Sequence, residues 1–212
     1  MSSGDHYFSA APGSASAPRR IQVDLAGMPR QVTTDAGIFS PQHLDTGTRV
    51  LLDAVPEPPG TGDVLDLGCG WGPIALSLAL LAPRARVWAV DVNERALELT
   101  RENAASLGAA NLVTALPDDV PDDVTFDTIW SNPPIRIGKE ALHALLLRWL
   151  PRLRPGGDAW LVVQRNLGSD SLHRWLDETL DDSFRTTREA SSKGFRVLRV
   201  VRGPEERPVT RP

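Results

Sequence analysis

Residues 63–81 read DVLDLGCGWGPIALSLALL, a stretch that predicts a strand, a tight turn and a helix in succession. It opens with a short apolar run of the kind found in buried parallel strands. Gly68, Gly70 and Gly72 then free the backbone to turn tightly and to pass close to a ligand. Pro73 suits the first helical position, where its missing N–H costs nothing, and the leucine-rich residues after it predict a largely buried helix. Open α/β sheets commonly bind adenine nucleotides and nucleosides at such a turn.

The spacing of the glycines separates the candidate cofactors. A dinucleotide fingerprint needs G-x-G-x-x-G/A, but its third position here is Pro73. A P-loop needs a lysine directly after its last glycine, and this turn has none. The remaining pattern is D-x-G-x-G-x-G, with Asp66 at the end of the strand. It resembles the first motif of class I S-adenosylmethionine methyltransferases; a glycine turn that only packs is the alternative.

From residue 63 onward, predicted strands alternate with predicted helices, which is typical of a doubly wound, mostly parallel α/β sheet. The expected strands are 63–67, 86–92, 112–115, 124–130, 159–164, 184–189 and 194–202. Together they predict a Rossmann-like sheet of seven strands. The expected helices are 73–81, 93–107, 139–153 and 170–180, and the Pro-Gly-Gly at 155–157 is expected to turn the chain into the fifth strand.

Upstream of this domain, residues 20–25 and 30–33 alternate apolar and polar side chains and predict an N-terminal β-hairpin extension. Asp45 or Thr46 is expected to cap a helix that runs through Val55. The chain thus divides into four predicted segments. These are a flexible segment (1–18), the hairpin and helix extension (19–60), the cofactor-binding domain (61–203) and a flexible tail (204–212).

The composition is that of an ordinary soluble globular protein, with 41% apolar and 24% charged residues. No stretch approaches the length of a membrane span, no signal peptide is visible, and a cytoplasmic protein is expected. The four histidines lack metal-ligand spacing, so no metal is predicted. Residues 51–130 carry a net charge of −9, whereas residues 131–212 carry +5. The basic half is expected to face a phosphate backbone, or else to be a solvated arginine-rich surface.

Carboxylates follow the second and third predicted strands. Asp91 lies 21 residues after Gly70, where an acidic residue in this fold accepts hydrogen bonds from ribose hydroxyls. Asp118 or Asp119 is expected to reach the adenine amino group. The single cysteine, Cys69, excludes an internal disulfide and is expected to pack as a small side chain near the cofactor.

Ser131-Asn132-Pro133-Pro134 ends the fourth predicted strand, across the crevice from the glycine turn. Two prolines stiffen the segment, because proline fixes its own φ and restricts the preceding residue. Stiffness would hold the Asn132 side-chain oxygen and the Pro133 carbonyl as two aimed acceptors. An amino group that donates both hydrogens to them would present its nitrogen to a sulfonium methyl. The segment therefore predicts methyl transfer achieved mainly by positioning.

The runs DLGCGWG (66–72), DVN (91–93) and SNPP (131–134) resemble the small-domain methyltransferases related to bacterial ribosomal RNA guanine-N2 methyltransferases. The stretches GIFSPQHLDTGTRVLL (37–52) and KGFRVLRV (193–200) are similar to the same family, and the resemblance covers roughly residues 20–202. It implies S-adenosylmethionine as cofactor. The implied cofactor-binding residues are Asp66, Gly68, Cys69, Gly70, Asp91, Val92, Asn93, Asp118 and Asn132, and the implied catalytic residues are Asn132, Pro133 and Pro134.

Two features depart from the family pattern. An aromatic residue that stacks on the target normally follows Asn-Pro-Pro, but here that residue is Ile135, so stacking is expected from Phe39 or Trp71. The ribosomal enzymes carry a second, inactive copy of the domain, whereas these 212 residues contain one copy. Phe39, Ile135 and Lys139 are the predicted substrate-binding residues, with Lys139 meeting a phosphate or carboxylate or else solvent.

The favoured function is therefore an S-adenosylmethionine-dependent N-methyltransferase that modifies an exocyclic amino group, with guanine N2 in ribosomal RNA as the first choice and RNA as the partner. One alternative is the same chemistry on a protein glutamine or a small-molecule amine. Another is a non-catalytic module that binds the cofactor. The oligomeric state stays open.

Overall fold

A computed structural model describes residues 15–204, which form a two-stranded hairpin, a seven-stranded sheet and five α-helices. The hairpin consists of β1 (Arg19–Leu25) and β2 (Met28–Thr34). The sheet strands are β3 (Asp63–Leu67), β4 (Arg86–Val90), β5 (Leu112–Ala115), β6 (Phe126–Ser131), β7 (Leu153–Gln164), β8 (Phe184–Ser192) and β9 (Phe195–Arg202). The helices are α1 (Thr46–Ala54), α2 (Pro73–Leu81), α3 (Glu94–Leu107), α4 (Lys139–Trp149) and α5 (Ser169–Thr179).

The strand order of the sheet is β5-β4-β3-β6-β7-β9-β8, which confirms the predicted α/β fold. Strands β3 to β7 are parallel to one another, whereas β9 runs antiparallel between β7 and β8. The chain moves outward from β3 to β5 and then returns to β6 on the other side of β3. In open α/β sheets this reversal creates a crevice at the carboxyl ends of the strands, where ligands bind. Here that crevice lies beyond Leu67 and Ser131.

Side chains alternate along the central strands and build one apolar layer on each face of the sheet. Val64 packs in the layer that includes Leu51 of α1 and Leu76 of α2, whereas its neighbour Leu65 packs in the layer that includes Leu146 of α4. Buried parallel strands need cover on both faces, and the helices provide it. The sheet is thus a rigid base for the loops at its carboxyl edge.

Asn103, buried on α3, connects the N-terminal hairpin to the glycine turn. Its Oδ1 accepts a hydrogen bond from the Thr33 amide (2.7 Å). Its Nδ2 donates to the carbonyl oxygens of Thr33 (2.9 Å) and Trp71 (3.2 Å). One side chain therefore fixes the hairpin, α3 and the glycine turn relative to one another.

The largest difference from the sequence prediction lies at the start of β7. Helix α4 ends at Trp149 instead of Leu153, because Pro151 has no N–H to continue the ladder and residues 150–152 tighten into a 3-10 turn. The expected turn at 155–157 lies inside β7 as an irregularity, since Phe126 pairs with Leu153 but Thr128 pairs with Asp158. The extra residues bulge out of the ladder.

The predicted terminal segments fall largely outside the described residues, since 1–14 and 205–212 are not described. Within the first segment, the Ser16 hydroxyl donates to Asp35 (2.7 Å) and the Ala17 amide donates to the same carboxylate. Residues 16 and 17 are thus attached to the loop after β2. Between residues 15 and 204, no helix has the length and apolarity required to cross a bilayer.

Candidate active site

A cleft of about 500 Å³ opens at the carboxyl ends of β3 and β6. Its volume falls within the range of roughly 300–1,000 Å³ that is usual for small-molecule sites. The glycine turn, the residues after β4, the Asn-Pro-Pro segment and the loop before α1 form its walls. The motifs that the sequence analysis selected therefore meet at one place.

The three glycines of the turn adopt positive φ angles, of 78° for Gly68, 56° for Gly70 and 93° for Gly72. Their surroundings differ. A Cβ on Gly70 would meet no atom within 4 Å, and one on Gly68 would lie 3.9 Å from the Pro134 ring. A Cβ on Gly72 would lie 2.8 Å from the Thr100 side chain. Gly68 and Gly70 thus keep the cleft open, whereas Gly72 allows the turn to pack on α3.

Asp91 lies at the cleft directly after β4, and the glycine turn holds its carboxylate. Its Oδ2 accepts from the Gly70 amide (2.9 Å) and its Oδ1 accepts from the Asn93 amide (2.9 Å). Burial raises the pKa of Asp91, while these hydrogen bonds and one from the Val92 amide oppose that rise. A carboxylate offers about four acceptor positions, so these three hydrogen bonds leave at least one for a ligand.

Asp66 has a different environment from the one the sequence analysis expected for a cofactor ligand. Its side chain is fully buried beneath the turn and does not line the cleft. Oδ2 accepts from the Ala75 amide (2.8 Å) in the first turn of α2, and Oδ1 has no partner. Burial raises the pKa of Asp66 well above its ordinary value of 3.8, and the nearby Asp91 raises it further. The structure places Asp66 as the anchor of the α2 N-terminus.

We expect Asp66→Asn to fold at least as stably as the wild type near pH 7, because the amide oxygen can still accept from Ala75 and a buried charge is removed. Since the folded-state pKa is raised, the folded protein binds more protons than the unfolded chain above about pH 4. The stability of the wild type relative to Asp66→Asn should therefore fall as the pH rises through that window. Urea unfolding between about pH 4 and pH 8 measures it.

Asp66→Ala is the control for the helix contact, because it removes the acceptor as well as the charge. It should lower the free energy of unfolding by about 1–3 kcal/mol. A wild-type stability that rises relative to that of Asp66→Asn across the same pH window would contradict the assigned burial of the charge.

Asn132 lies just beyond β6, and its amide contacts the start of α1. Its Nδ2 donates to Asp45 Oδ2 (2.9 Å) and to Thr48 Oγ1 (3.1 Å). All three residues line the cleft. The Ser131 hydroxyl donates to the Leu67 carbonyl (2.6 Å), which joins the ends of β6 and β3. The sequence predicts only a capping role for Asp45, and no motif marks Thr48.

The Pro133 carbonyl, predicted to be a free acceptor, already accepts a hydrogen bond from the Ile135 amide (2.8 Å). Pro134, with φ −74° and ψ 75°, forms the centre of an inverse γ-turn. A carbonyl oxygen has two lone pairs, so one stays available. The tight turn adds a second source of stiffness to the segment.

The methyltransferase small-domain model matches residues 29–199 of this chain. The chain belongs to that family. It is 38% identical over 199 residues to "Uncharacterized protein YbxB" of Bacillus subtilis (strain 168), covering 92% of this chain and 98% of that protein. It is 33% identical over 184 residues to "Ribosomal RNA large subunit methyltransferase G" of Streptomyces avermitilis, covering 84% of this chain and 46% of that enzyme.

Among solved structures, a T. thermophilus 16S rRNA N2 methyltransferase (RsmC) in complex with AdoMet and guanosine superposes with a TM-score of 0.75 at 24% identity. The match covers 89% of this chain and 51% of that one, and it shows a shared fold. This methyltransferase thus spans about half the length of the ribosomal RNA methyltransferases that it matches. The predicted enzyme class and its cofactor, S-adenosylmethionine, are confirmed.

The cleft of this methyltransferase fits S-adenosylmethionine in three respects. Its volume suits a small ligand, Gly70 leaves the turn open where a ligand approaches, and Asp91 keeps a free acceptor position. Val92 and Asn93 also line the cleft. The Asn93 side chain caps α3, because its Oδ1 accepts from the backbone amide of Arg95 (3.0 Å). Asn93 therefore offers the cleft mainly its backbone.

Other predicted site residues divide into two groups. Cys69 lines the cleft but is 3% exposed, and burial raises the pKa of its thiol well above the usual value, which suits the predicted packing role. Asp118 and Lys139 do not line the cleft. The Asp118 carboxylate is 90% exposed and lies 2.7 Å from Arg148, so its placement does not support the predicted contact with adenine. Lys139 is exposed at the start of α4.

Aromatic and apolar side chains gather at the mouth of the cleft. Phe39 lines it and is 45% exposed, whereas the Trp71 ring is buried at 2% exposure. Between residues 15 and 204, six large apolar side chains are exposed, and Phe39, Val92 and Leu167 of these line the cleft. Such clustering marks an interaction site. Of the two expected stacking residues, the structure favours Phe39, with Ile135 also in the wall.

Proposed function

We propose that this methyltransferase methylates an exocyclic amino group in RNA, with guanine N2 of ribosomal RNA as the leading candidate. The observation that carries the proposal is the position of Asn132 and Pro133, which line the cleft with the glycine turn. Between residues 15 and 204 the Asn132 Oδ1 receives no hydrogen bond, because only its Nδ2 is engaged. Two acceptors are thus available for the two hydrogens of an amino group.

In this proposal the residues of the chain orient the substrate amino group that receives the methyl. Asn132 Oδ1 and the second lone pair of the Pro133 carbonyl take the two N–H groups, which fixes the direction of the nitrogen lone pair. Bound S-adenosylmethionine supplies a sulfonium methyl, which passes to that nitrogen and leaves S-adenosylhomocysteine and a proton. Gly68 and Gly70 would give the cofactor close approach, and Asp91 would accept a hydrogen bond from its ribose.

The support for RNA comes from relatives and from surface charge. Two relatives carry names of ribosomal RNA methyltransferases, and the T. thermophilus structural neighbour was solved in complex with guanosine. Four exposed cations lie on segments that border the cleft, and we call them the cationic rim: Arg136, Lys139, Arg165 and Lys193. Within residues 15–204 none of the four forms an ion pair, whereas Arg188 and Arg196 are paired with Asp170.

The four residues of the cationic rim lie on the segments that follow β6 and β7 and in the turn between β8 and β9. Arg136 lines the cleft itself, and Lys139 begins α4 shortly after it. Arg165 follows Gln164, a cleft residue, and its amide donates to the Gly194 carbonyl (2.8 Å). Lys193 precedes that glycine at the tip of the β8–β9 turn. The rim therefore lies where the phosphates that flank a target nucleotide would pass.

We expect RNA binding to weaken steeply with salt, and Arg165→Gln to reduce the slope of log K against log salt by about one unit, because each phosphate contact releases a counterion. Filter binding with RNA from a strain that lacks the protein measures both. Arg185→Gln is the matched control, since Arg185 is exposed at the opposite end of β8. A flat salt response would favour a protein glutamine or small-molecule substrate.

The function itself is tested by methyl transfer from labelled S-adenosylmethionine to the same RNA, followed by nucleoside mass spectrometry. N2-methylguanosine is the expected product. A different methylated nucleoside would retain RNA and change the target, whereas label found only in protein or small molecules would reject RNA as substrate.

A further inference from the structure

One carboxylate oxygen at the start of α1 serves both the helix and the Asn132 amide. Asp45 Oδ2 accepts from the amides of Gly47 (2.7 Å) and Thr48 (3.1 Å), which caps α1. The same oxygen accepts from Asn132 Nδ2 (2.9 Å). Thr48 Oγ1 provides a second acceptor for Nδ2 (3.1 Å). Asp45 Oδ2 therefore connects the cap of α1 with Asn132, the residue proposed to bind the substrate amino group.

These contacts determine which way the Asn132 amide points. A carboxylate only accepts hydrogen bonds, so the amide must turn its NH₂ group toward Asp45. A flipped amide would place two oxygens against each other at that distance, and it would present N–H donors to the substrate. An amino-group substrate needs an acceptor, and the observed orientation leaves Oδ1 for it.

We propose that Asp45 is a positioning residue for methyl transfer, which holds the Asn132 amide so that Oδ1 meets the substrate amino group. The proposal rests on the proposed role of Asn132. Thr48 assists as the second acceptor of Nδ2. A carboxylate behind the amide also increases the negative charge on Oδ1, which strengthens the bond to an amino group that gains positive charge as it is methylated.

Gly47 explains why this arrangement needs a particular local sequence. A Cβ at position 47 would lie 2.8 Å from the Phe195 ring and 2.9 Å from Asp45 Oδ2. Only glycine lets the first turn of α1 approach β9 while Asp45 reaches Asn132. The residues Asp45, Gly47 and Thr48 thus each have a contact role, whereas Thr46 between them is exposed.

Two substitutions separate the helix cap from the positioning role. Asp45→Ser keeps an oxygen that can cap α1 but is too short to reach Asn132. Asp45→Asn keeps an oxygen at the same reach and removes only the charge. With RNA from a strain that lacks the protein as substrate, we expect Asp45→Ser to lower kcat about 10–100-fold with little change in S-adenosylmethionine affinity or Tm. Asp45→Asn should recover most of that rate.

The hydrogen bonding of the Asn132 side-chain amide can be measured by NMR without a substrate. The chain has five asparagines, so the side-chain amide signals of protein labelled with ¹⁵N-asparagine can be assigned, and Asn132→Ala identifies the pair from Asn132. In the wild type the two Nδ2 proton signals of Asn132 should be shifted downfield, and these protons should be protected from exchange with solvent. In Asp45→Ser the Nδ2 proton that faces Asp45 should move upfield and exchange faster, because Thr48 still accepts only the other proton, and in Asp45→Asn both protons should stay protected.

Lowered kcat and a shifted Asn132 amide signal in Asp45→Ser, both restored in Asp45→Asn, would support the proposal. Wild-type turnover in Asp45→Ser, or an unmoved Asn132 signal, would overturn it. If the wild type methylates no RNA, the proposed substrate fails separately, and the amide signal still decides whether Asp45 orients Asn132.

Discussion

Asn132→Ala is expected to lower the rate of methyl transfer about 10²–10³-fold while S-adenosylmethionine affinity stays nearly unchanged. The alanine removes an acceptor that the substrate amino group uses most strongly as its nitrogen gains the methyl, so the loss falls on turnover. The structure adds a reason for a large effect, because the substitution also leaves Asp45 and Thr48 without the amide that they hold. Single-turnover transfer of label to RNA measures the rate, and calorimetry measures the affinity.

Asn166→Ala is the matched control, since Asn166 is an exposed asparagine just beyond β7 and does not line the cleft. It should behave as the wild type. Equal rates in Asn132→Ala and the wild type would remove the proposed mechanism. No transfer by either protein to any RNA, with tight cofactor binding in both, would favour a non-catalytic binding module.

Asp91→Ala should weaken S-adenosylmethionine binding by about 10²-fold, because ribose hydroxyls would be left unpaired in the complex at a cost of a few kcal/mol. The same change removes the acceptors for the Gly70 and Asn93 amides, so the turn that shapes the cleft would also lose support. Isothermal titration calorimetry gives the affinity directly. NAD should bind to neither protein.

Asp118→Ala serves as the comparison for that experiment and tests a sequence prediction at the same time. Its carboxylate lies at the surface on Arg148, so the structure predicts normal affinity. A large loss would mean that Asp118 swings to the adenine after all. Unchanged affinity in Asp91→Ala would exclude Asp91 from the cofactor site.

The sequence predicted the central fold well because its signals are local. Glycines, prolines and apolar runs between residues 63 and 134 mark strand ends and turns within a few positions of each other. The prediction for the start of β7 was wrong for the opposite reason. Pro155-Gly156-Gly157 predicts a turn locally, but Leu153 and Asp158 on either side of it pair with β6 and make it a bulge within β7. Gly157 shows the constraint, since a Cβ there would lie 2.8 Å from the Asp127 carbonyl oxygen.

The cleft was predictable only in part. Motif spacing placed Gly68, Asp91 and Asn132 at one crevice, and the structure brings them together. The contact between Asp45 and Asn132 joins residues 87 positions apart, and no local pattern carries such information. Asp66 shows a further limit of motif-based prediction. The motif identifies the residue, but its complete burial determines that it contacts the Ala75 amide and not the cleft.

The contact between α1 and Asn132 bears on how this catalyst can be subdivided. A chain cut at residue 60 would retain the glycine turn and Asn132, yet it would lack Asp45, Thr48 and Phe39 from the cleft wall. The segment before residue 61 therefore supplies part of the cleft wall and is not a detachable appendage. Any graft, fusion or circular permutation that moves this activity to another scaffold has to carry that segment with it.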